Sequence, residues 1–161
     1  MSKLFSSRVS GLLLLSSVLV GNVLDNMAYA NESFKVVVEN AYARASIPGT
    51  SLSSAYMTIS NKSASNMRLV GASSTVSDRV EIHQHTMSDG LMRMRQVDYV
   101  AIDAKTTKVF QPSGLHLMIF DVKAPLKAQE NVIITLHFDN QTSIDVNYTV
   151  KGLKQKKHHH H

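Results

Sequence analysis

An all-β domain, closed as a sandwich or a barrel, is what this sequence predicts by its own pattern. From about residue 34 onward the chain alternates apolar with polar residues and is rich in Val, Ile, Thr and Tyr. No stretch sustains the 3.6-residue apolar repeat of a long helix. Turn-forming residues recur every 8 to 12 positions, a spacing that suits short strands and not βαβ units. The first strand is expected over 34–44 ("FKVVVENAYAR"), broken or bulged. After the Pro48-Gly49 turn a second is expected over 53–61 ("SSAYMTISN"), and after the polar run 61–66 a third over 68–74. The fourth, 80–85 ("VEIHQH"), returns through Asp89-Gly90 into 91–97 ("LMRMRQV"). Strands at 107–110, 115–122, 131–138 and 143–150 complete the set, separated by Pro112-Ser113-Gly114 and Asp139-Asn140. No segment repeats another.

The two ends of the 161-residue chain read differently from its body. Lys3 and Arg8 precede a short apolar run, "GLLLLSSVLV", and "AYA" at 28–30 has the small-x-small pattern of a signal peptidase site. Residues 1–30 are therefore expected to be a secretory signal, too short for a membrane span, cleaved after Ala30. The expected product is a periplasmic protein with no stable membrane anchor. The absence of cysteine also argues against a lipid-anchored form and excludes disulfides and thiolate ligands. Between Asn31 and Val150 stand 11 Lys+Arg and 11 Asp+Glu, so the expected domain, 31–150, is neutral. The basic excess sits in 151–161, "KGLKQKKHHHH", expected to be a disordered tail. With no basic stripe interleaved with aromatics, nucleic acid is not an expected partner. A neutral body poor in patches is expected to be monomeric.

Chemistry concentrates in two segments. In "SGLHLMIF" (113–120), Leu115, Leu117 and Ile119 point to one side of a strand and His116 and Met118 to the other. In "VEIHQHTMSDGLMRMR", Glu81 and His83 share a face opposite Val80 and Ile82, and Met92 and Met94 share a face on the returning strand. Residues two apart on a strand lie about 6.5–7 Å apart at Cα, close enough for both side chains to reach one small ion. Two imidazoles and two thioethers would complete a four-donor site. Met57, in "AYMTI", reads as core, because methionine is most often a gap-filler. His137 reads as an ordinary surface histidine.

Such a donor set selects its metal. Thioether sulfur is soft and neutral, a poor partner for Zn²⁺, Mg²⁺ or Ca²⁺, and with imidazole it prefers Cu(I) or Ag(I). Four neutral donors bind more weakly than thiolates, which suits a carrier that gives its ion to a cysteine-containing acceptor. A blue-copper centre needs a cysteine, and a catalytic zinc site needs three His or carboxylate ligands with an open position. Glu81 and Asp89 do not form a recognisable set of that kind. No nucleophile–base–orienter set and no cofactor fingerprint is present, so the protein is expected not to be an enzyme.

The spacing His83-x10-Met94-x21-His116-x-Met118 resembles the copper motif of the periplasmic copper chaperones of the PCu(A)C family. "AYARASIPGTSLSSAYMTISN", "LVGASSTVSDRVEIHQH", "LMRMRQV" and "FQPSGLHLMIFDVKAPLKAQENVIITLHFDN" are similar to its blocks, so the resemblance runs over roughly 36–150. It implies a cupredoxin-like Greek-key β-sandwich with His83, Met94, His116 and Met118 as ligands of one exposed Cu(I). It also implies delivery toward the Cu(A) centre in subunit II of cytochrome c oxidase, often beside a Sco-type thiol protein. Tyr42 stands where a tryptophan is expected and Ser113 where a second glycine is common. His85, Met87 and Met92 are extra soft or borderline groups near the site, available as supporting or alternate ligands, with surface or packing roles the simpler reading.

The same ligands would serve a protein that sequesters or resists copper or silver, and a metal-free structural sandwich would merely pack them. The terminal His158, His159, His160 and His161 are either a purification tag or a native tail. Four histidines instead of six, no cloning linker and the retained leader favour the native one. As a tail they form a second, looser metal site that suits Cu(II) or Zn(II).

Overall fold

A computed structural model of the chain describes residues 35–88 and 90–152. The expected signal segment and most of the expected tail lie outside the described residues. The described chain forms ten strands: β1 (Val36–Arg44), β2 (Ser53–Asn61), β3 (Met67–Ser74), β4 (Arg79–Ser88), β5 (Leu91–Gln96), β6 (Val100–Ile102), β7 (Thr107–Phe110), β8 (Leu115–Phe120), β9 (Asn131–Phe138) and β10 (Ser143–Lys151). No described residue is helical. The strands follow one hydrogen-bonded order, β5-β4-β8-β7-β2-β1-β10-β9-β3-β6, with β8 also pairing β2. Most pairs are antiparallel; β1–β10 and β7–β8 are parallel.

Alternation does the folding work. Leu69 from β3, Ile82 from β4, Leu117 and Ile119 from β8, and Ile134 and Leu136 from β9 are almost fully buried and belong to one core. Each fully buried aliphatic side chain contributes about 1.5–3 kcal/mol by leaving water. Buried Tyr148 donates its hydroxyl to Met57 Sδ at 2.9 Å, and burial pushes its phenol pKa up. Met57 is thus core, as expected, and its sulfur also satisfies a buried donor. The passage from β3 into β4 turns on Ser77, whose buried hydroxyl bonds the Phe120 carbonyl of β8 and accepts the Arg79 amide at 3.0 Å.

The strand boundaries expected at 53–61, 107–110 and 131–138 coincide with β2, β7 and β9. The break expected in β1 is a bulge between Glu39 and Tyr42, with Asn40 at φ 54°. Other boundaries need correction. β4 runs on to Ser88, because Thr86, Met87 and Ser88 pair with Arg93, Met92 and Leu91 in a tight hairpin. Only residues 89 and 90 connect it, with Gly90 at φ 75°. β8 stops at Phe120 and not 122, since Asp121 takes φ 47°. Lys151, assigned to the tail on sequence, ends β10 opposite Arg44, and its ammonium lies 4.2 Å from the Tyr42 ring centroid. β6 was not foreseen; three residues are too few for alternation to register.

One buried polar side chain closes the far end. Asn61, with no exposed surface, donates from Nδ2 to the carbonyls of Ser65 and Ile102 at 2.8 and 3.1 Å. Its Oδ1 accepts the Ser63 amide at 2.9 Å and hydroxyl at 2.6 Å. Replacing Asn61 by Ala strands these groups away from water. The expected loss is about 3 kcal/mol, against about 1 kcal/mol for Ser63→Ala, measured by urea denaturation.

Candidate metal centre

The donors assemble because three strands align in register. β4 and β8 are antiparallel with His83 directly opposite His116 and Glu81 opposite Met118; β4 and β5 place His85 opposite Met94. Directly opposed residues show their side chains on the same face. One face therefore carries Arg79, Glu81, His83, His85 and Met87 from β4, Met92 and Met94 from β5, and His116 and Met118 from β8. Leu117 and Ile82, on the other face, anchor the same strands in the core. The functional face is rigid because its reverse is fully packed.

His83 and His116 each have one nitrogen committed. The Gly114 carbonyl can only accept, so His116 Nδ1 carries the proton and donates at 3.1 Å. That leaves the His116 Nε2 lone pair directed at Met94 Sδ, 3.2 Å away. In His83 the roles reverse: Nε2 donates to Glu81 Oε2 at 2.8 Å, and Nδ1 is buried without a partner. His85 Nδ1 is likewise buried and unpartnered. The His83 and His116 ring centroids are 5.9 Å apart, and His85 stacks on His116 at 5.1 Å. Buried ring nitrogens without partners cost free energy, and the His116 Nε2 lone pair beside them faces a thioether. Two unprotonated donors facing each other are an arrangement that a cation completes.

The surroundings hold the rings in place. Glu81 Oε1 lies 3.8 Å from Arg79 Nε, and the Arg79 guanidinium sits 3.9 Å from the Phe120 ring centroid, whose ring packs on His83 at 5.8 Å. Tyr56, buried, lies 6.3 Å from His116 and 5.0 Å from Tyr42, so the position expected to hold tryptophan still backs the site with an aromatic ring. Desolvation lowers the pKa of His116, the neighbouring His85 and His83 lower it further, and the Gly114 bond opposes them. The site is built to keep this ring neutral.

The structure brings His83, His116 and Met94 together, with Met118 one pleat from His116 on the same face, beside a cleft lined by Arg44, Ile47 and Leu52. Met94 is 46% exposed whereas His116 is 3% exposed, so the site is roofed by thioether and floored by imidazole. His137 lies elsewhere, half-buried and held between Ser73 and Ser143 hydroxyls at 2.8 Å each. His158, His159, His160 and His161 lie outside the described residues. Sequence reasoning passed over Glu81 because it sought a carboxylate ligand; its same-face position two residues before His83 was the available signal. No group of three or more histidine or carboxylate side chains converges among the described residues; the convergence is of imidazole with thioether.

His116 supplies a pH test on the metal-free protein. Its folded pKa lies below the ordinary value of about 6.5, so below pH 6.5 the unfolded chain binds the extra proton first. Stability is then lost as pH falls from about 6.5 toward the lowered value. Urea midpoints measured against pH should decline over that window in the wild type and decline less in His116→Gln.

Comparison with known proteins agrees with this architecture. The model of the LpqE-like family ("Putative lipoprotein LpqE-like") matches residues 36–150. Protein RP573 of Rickettsia prowazekii is 34% identical over 99 residues, 61% of this chain and 55% of that protein, so the chain matches about half that relative's length. The solution structure of CuI-DR1885 from Deinococcus radiodurans is 32% identical with a TM-score of 0.59, over 76% of this chain and 83% of that one. The copper-bound PCuAC domain of PmoF2 shares the fold at 19% identity and a TM-score of 0.63, over 74% of this chain and 94% of that domain. The architecture is the cupredoxin-like β-sandwich of these domains, and the chain belongs to the LpqE-like, PCu(A)C family.

Proposed function

We propose that this protein is an exported, non-enzymatic Cu(I) carrier, in which His83, Met94, His116 and Met118 hold one ion and release it to a thiol-bearing acceptor. The observation that carries this reading is the facing of His116 Nε2 and Met94 Sδ, 3.2 Å apart with no proton between them in the neutral form. A metal bound at about 2.0 Å to nitrogen and 2.3 Å to sulfur spans donors roughly 3–4 Å apart. The donors are neutral and half of them are thioethers, which suits Cu(I). The protein of Deinococcus radiodurans with 32% identity was solved as a Cu(I) form, and the family's description as lipoproteins fits export to the periplasm.

The geometry suggests an order of events. His83 would bind through Nδ1, with its other nitrogen tied to Glu81, and His116 through Nε2, with its other nitrogen tied to Gly114. Partners of this kind fix the ring and raise its basicity. Incoming cysteine thiolates displace the weaker, more exposed thioethers first, and Met94 is the outermost. The acceptor we assign is the Cu(A) centre of cytochrome c oxidase subunit II, reached directly or through a Sco-type thiol protein.

Anaerobic Cu(I) titration against a competing chelator tests the reading. His83→Ala, Met94→Ala, His116→Ala and Met118→Ala should each weaken the tight site, and removal of the residues after Gly152 should not. Wild-type affinity in all four variants would sink the assignment. Glu81→Gln, which keeps the shape but loses the charge behind His83, should weaken Cu(I) by about 10–100-fold. Mixing the loaded protein with a two-cysteine acceptor should move the copper; retention would favour sequestration.

A further inference from the structure

The ligand set proposed above leaves a second group of soft donors unused on the same face. In the β4–β5 hairpin, His85 stands opposite Met94, and Met87 opposite Met92. Opposed Cβ atoms lie about 4.5–5.5 Å apart and successive same-face residues about 6.5–7 Å apart. These four side chains therefore form a compact block one pleat outward from His83. Met87 and Met92 are 67% and 57% exposed, and with Leu91 at 60% they are among the most exposed large apolar residues described. Packing does not account for two thioethers held in water at the tip of a hairpin.

His85 supplies the independent observation. Its Nδ1 is one of two buried side-chain nitrogen or oxygen atoms without a hydrogen-bond partner among the described residues. The other, His83 Nδ1, belongs to the site already described. His85 stacks on His116 at 5.1 Å and 25°, and its strand position is one pleat from Met87 and next to the Met87–Met92 pair in register. An imidazole with a free buried nitrogen beside two exposed thioethers is a donor set for a soft monovalent cation.

We infer that His85, Met87 and Met92 form a second Cu(I) site at the hairpin tip, outside the inner site and adjoining it through Met94. The inference rests on the copper-carrier reading for the identity of the ion. Three neutral donors, two of them open to water, hold Cu(I) more weakly than the inner four. The outer block is where an ion arrives or departs, and the inner block is where it rests. His85 links the two, since it sits opposite one inner thioether and against one inner imidazole.

The experiment uses the full chain with ¹³C-labelled methionine methyls, titrated anaerobically with Cu(I) and followed by NMR. Met94 and Met118 signals should shift with the first equivalent, and Met87 and Met92 signals with the next. The buried Met57 and Met67 signals report that the fold is intact throughout. In the double variant Met87→Leu/Met92→Leu the later step should be lost while the first survives. The terminal histidines are common to every variant and cancel from the comparison. Met87 and Met92 signals that stay fixed while Met94 and Met118 move would overturn the outer site and leave the carrier reading standing. Shifts at Met87 and Met92 alone would uphold the outer site and overturn the inner assignment.

Discussion

The register between β4 and β8 is the constraint on which the rest depends. It sets His83 against His116 on one face and Ile82 against Leu117 on the other. Because side chains alternate with a period of two, a slip of one residue would bury the imidazoles in the core and expose the aliphatic row. The apolar face therefore enforces the polar one: the free energy of burying Ile82, Leu117 and Ile119 fixes where the candidate donors stand. The site needs no disulfide, and the chain has no cysteine to make one.

Much of this was legible from residues alone. Strict alternation in "LHLMIF" already separates His116 and Met118 from Leu115, Leu117 and Ile119, and the turn residues cut most strands within a residue or two of their observed ends. What escaped has physical reasons. β6 is shorter than one period of any pattern worth counting. The end of β8 depends on a left-handed Asp121, which leaves little trace in composition. The hairpin register, which brings Met94 and not Met92 opposite His85, follows from the two-residue connection and could not be read from hydropathy. Glu81 was seen to share a face with His83, but that it bonds one ring nitrogen while Gly114 bonds the other nitrogen of His116 is a matter of rotamers.

That opposite use of nitrogens matters for specificity. A carboxylate behind His83 and a neutral carbonyl behind His116 give the two imidazoles unequal donor strength, and burial disfavours a proton on His116 in particular. In the proposed carrier, donor atoms that are themselves neutral, one of them on a ring that resists protonation, would favour a soft monovalent ion and offer little to hard divalent ones. Tilted ring contacts from Tyr42 through Tyr56 to His116 extend this flank across three strands.

β5 is the last strand in the sheet order, and each of its six residues is exposed. One donor of the set thus hangs from a ribbon fastened along a single edge, whereas the others are seated on strands paired on both sides. In the proposed carrier, fraying of that ribbon would withdraw Met94 while the core strands stay paired, so the hold on the ion and the integrity of the fold would be separate equilibria. Exchange of the β5 amides with solvent and the lifetime of a bound ion would then report the same local opening, and a substitution in the hairpin would tune how long cargo stays without touching how well the protein folds.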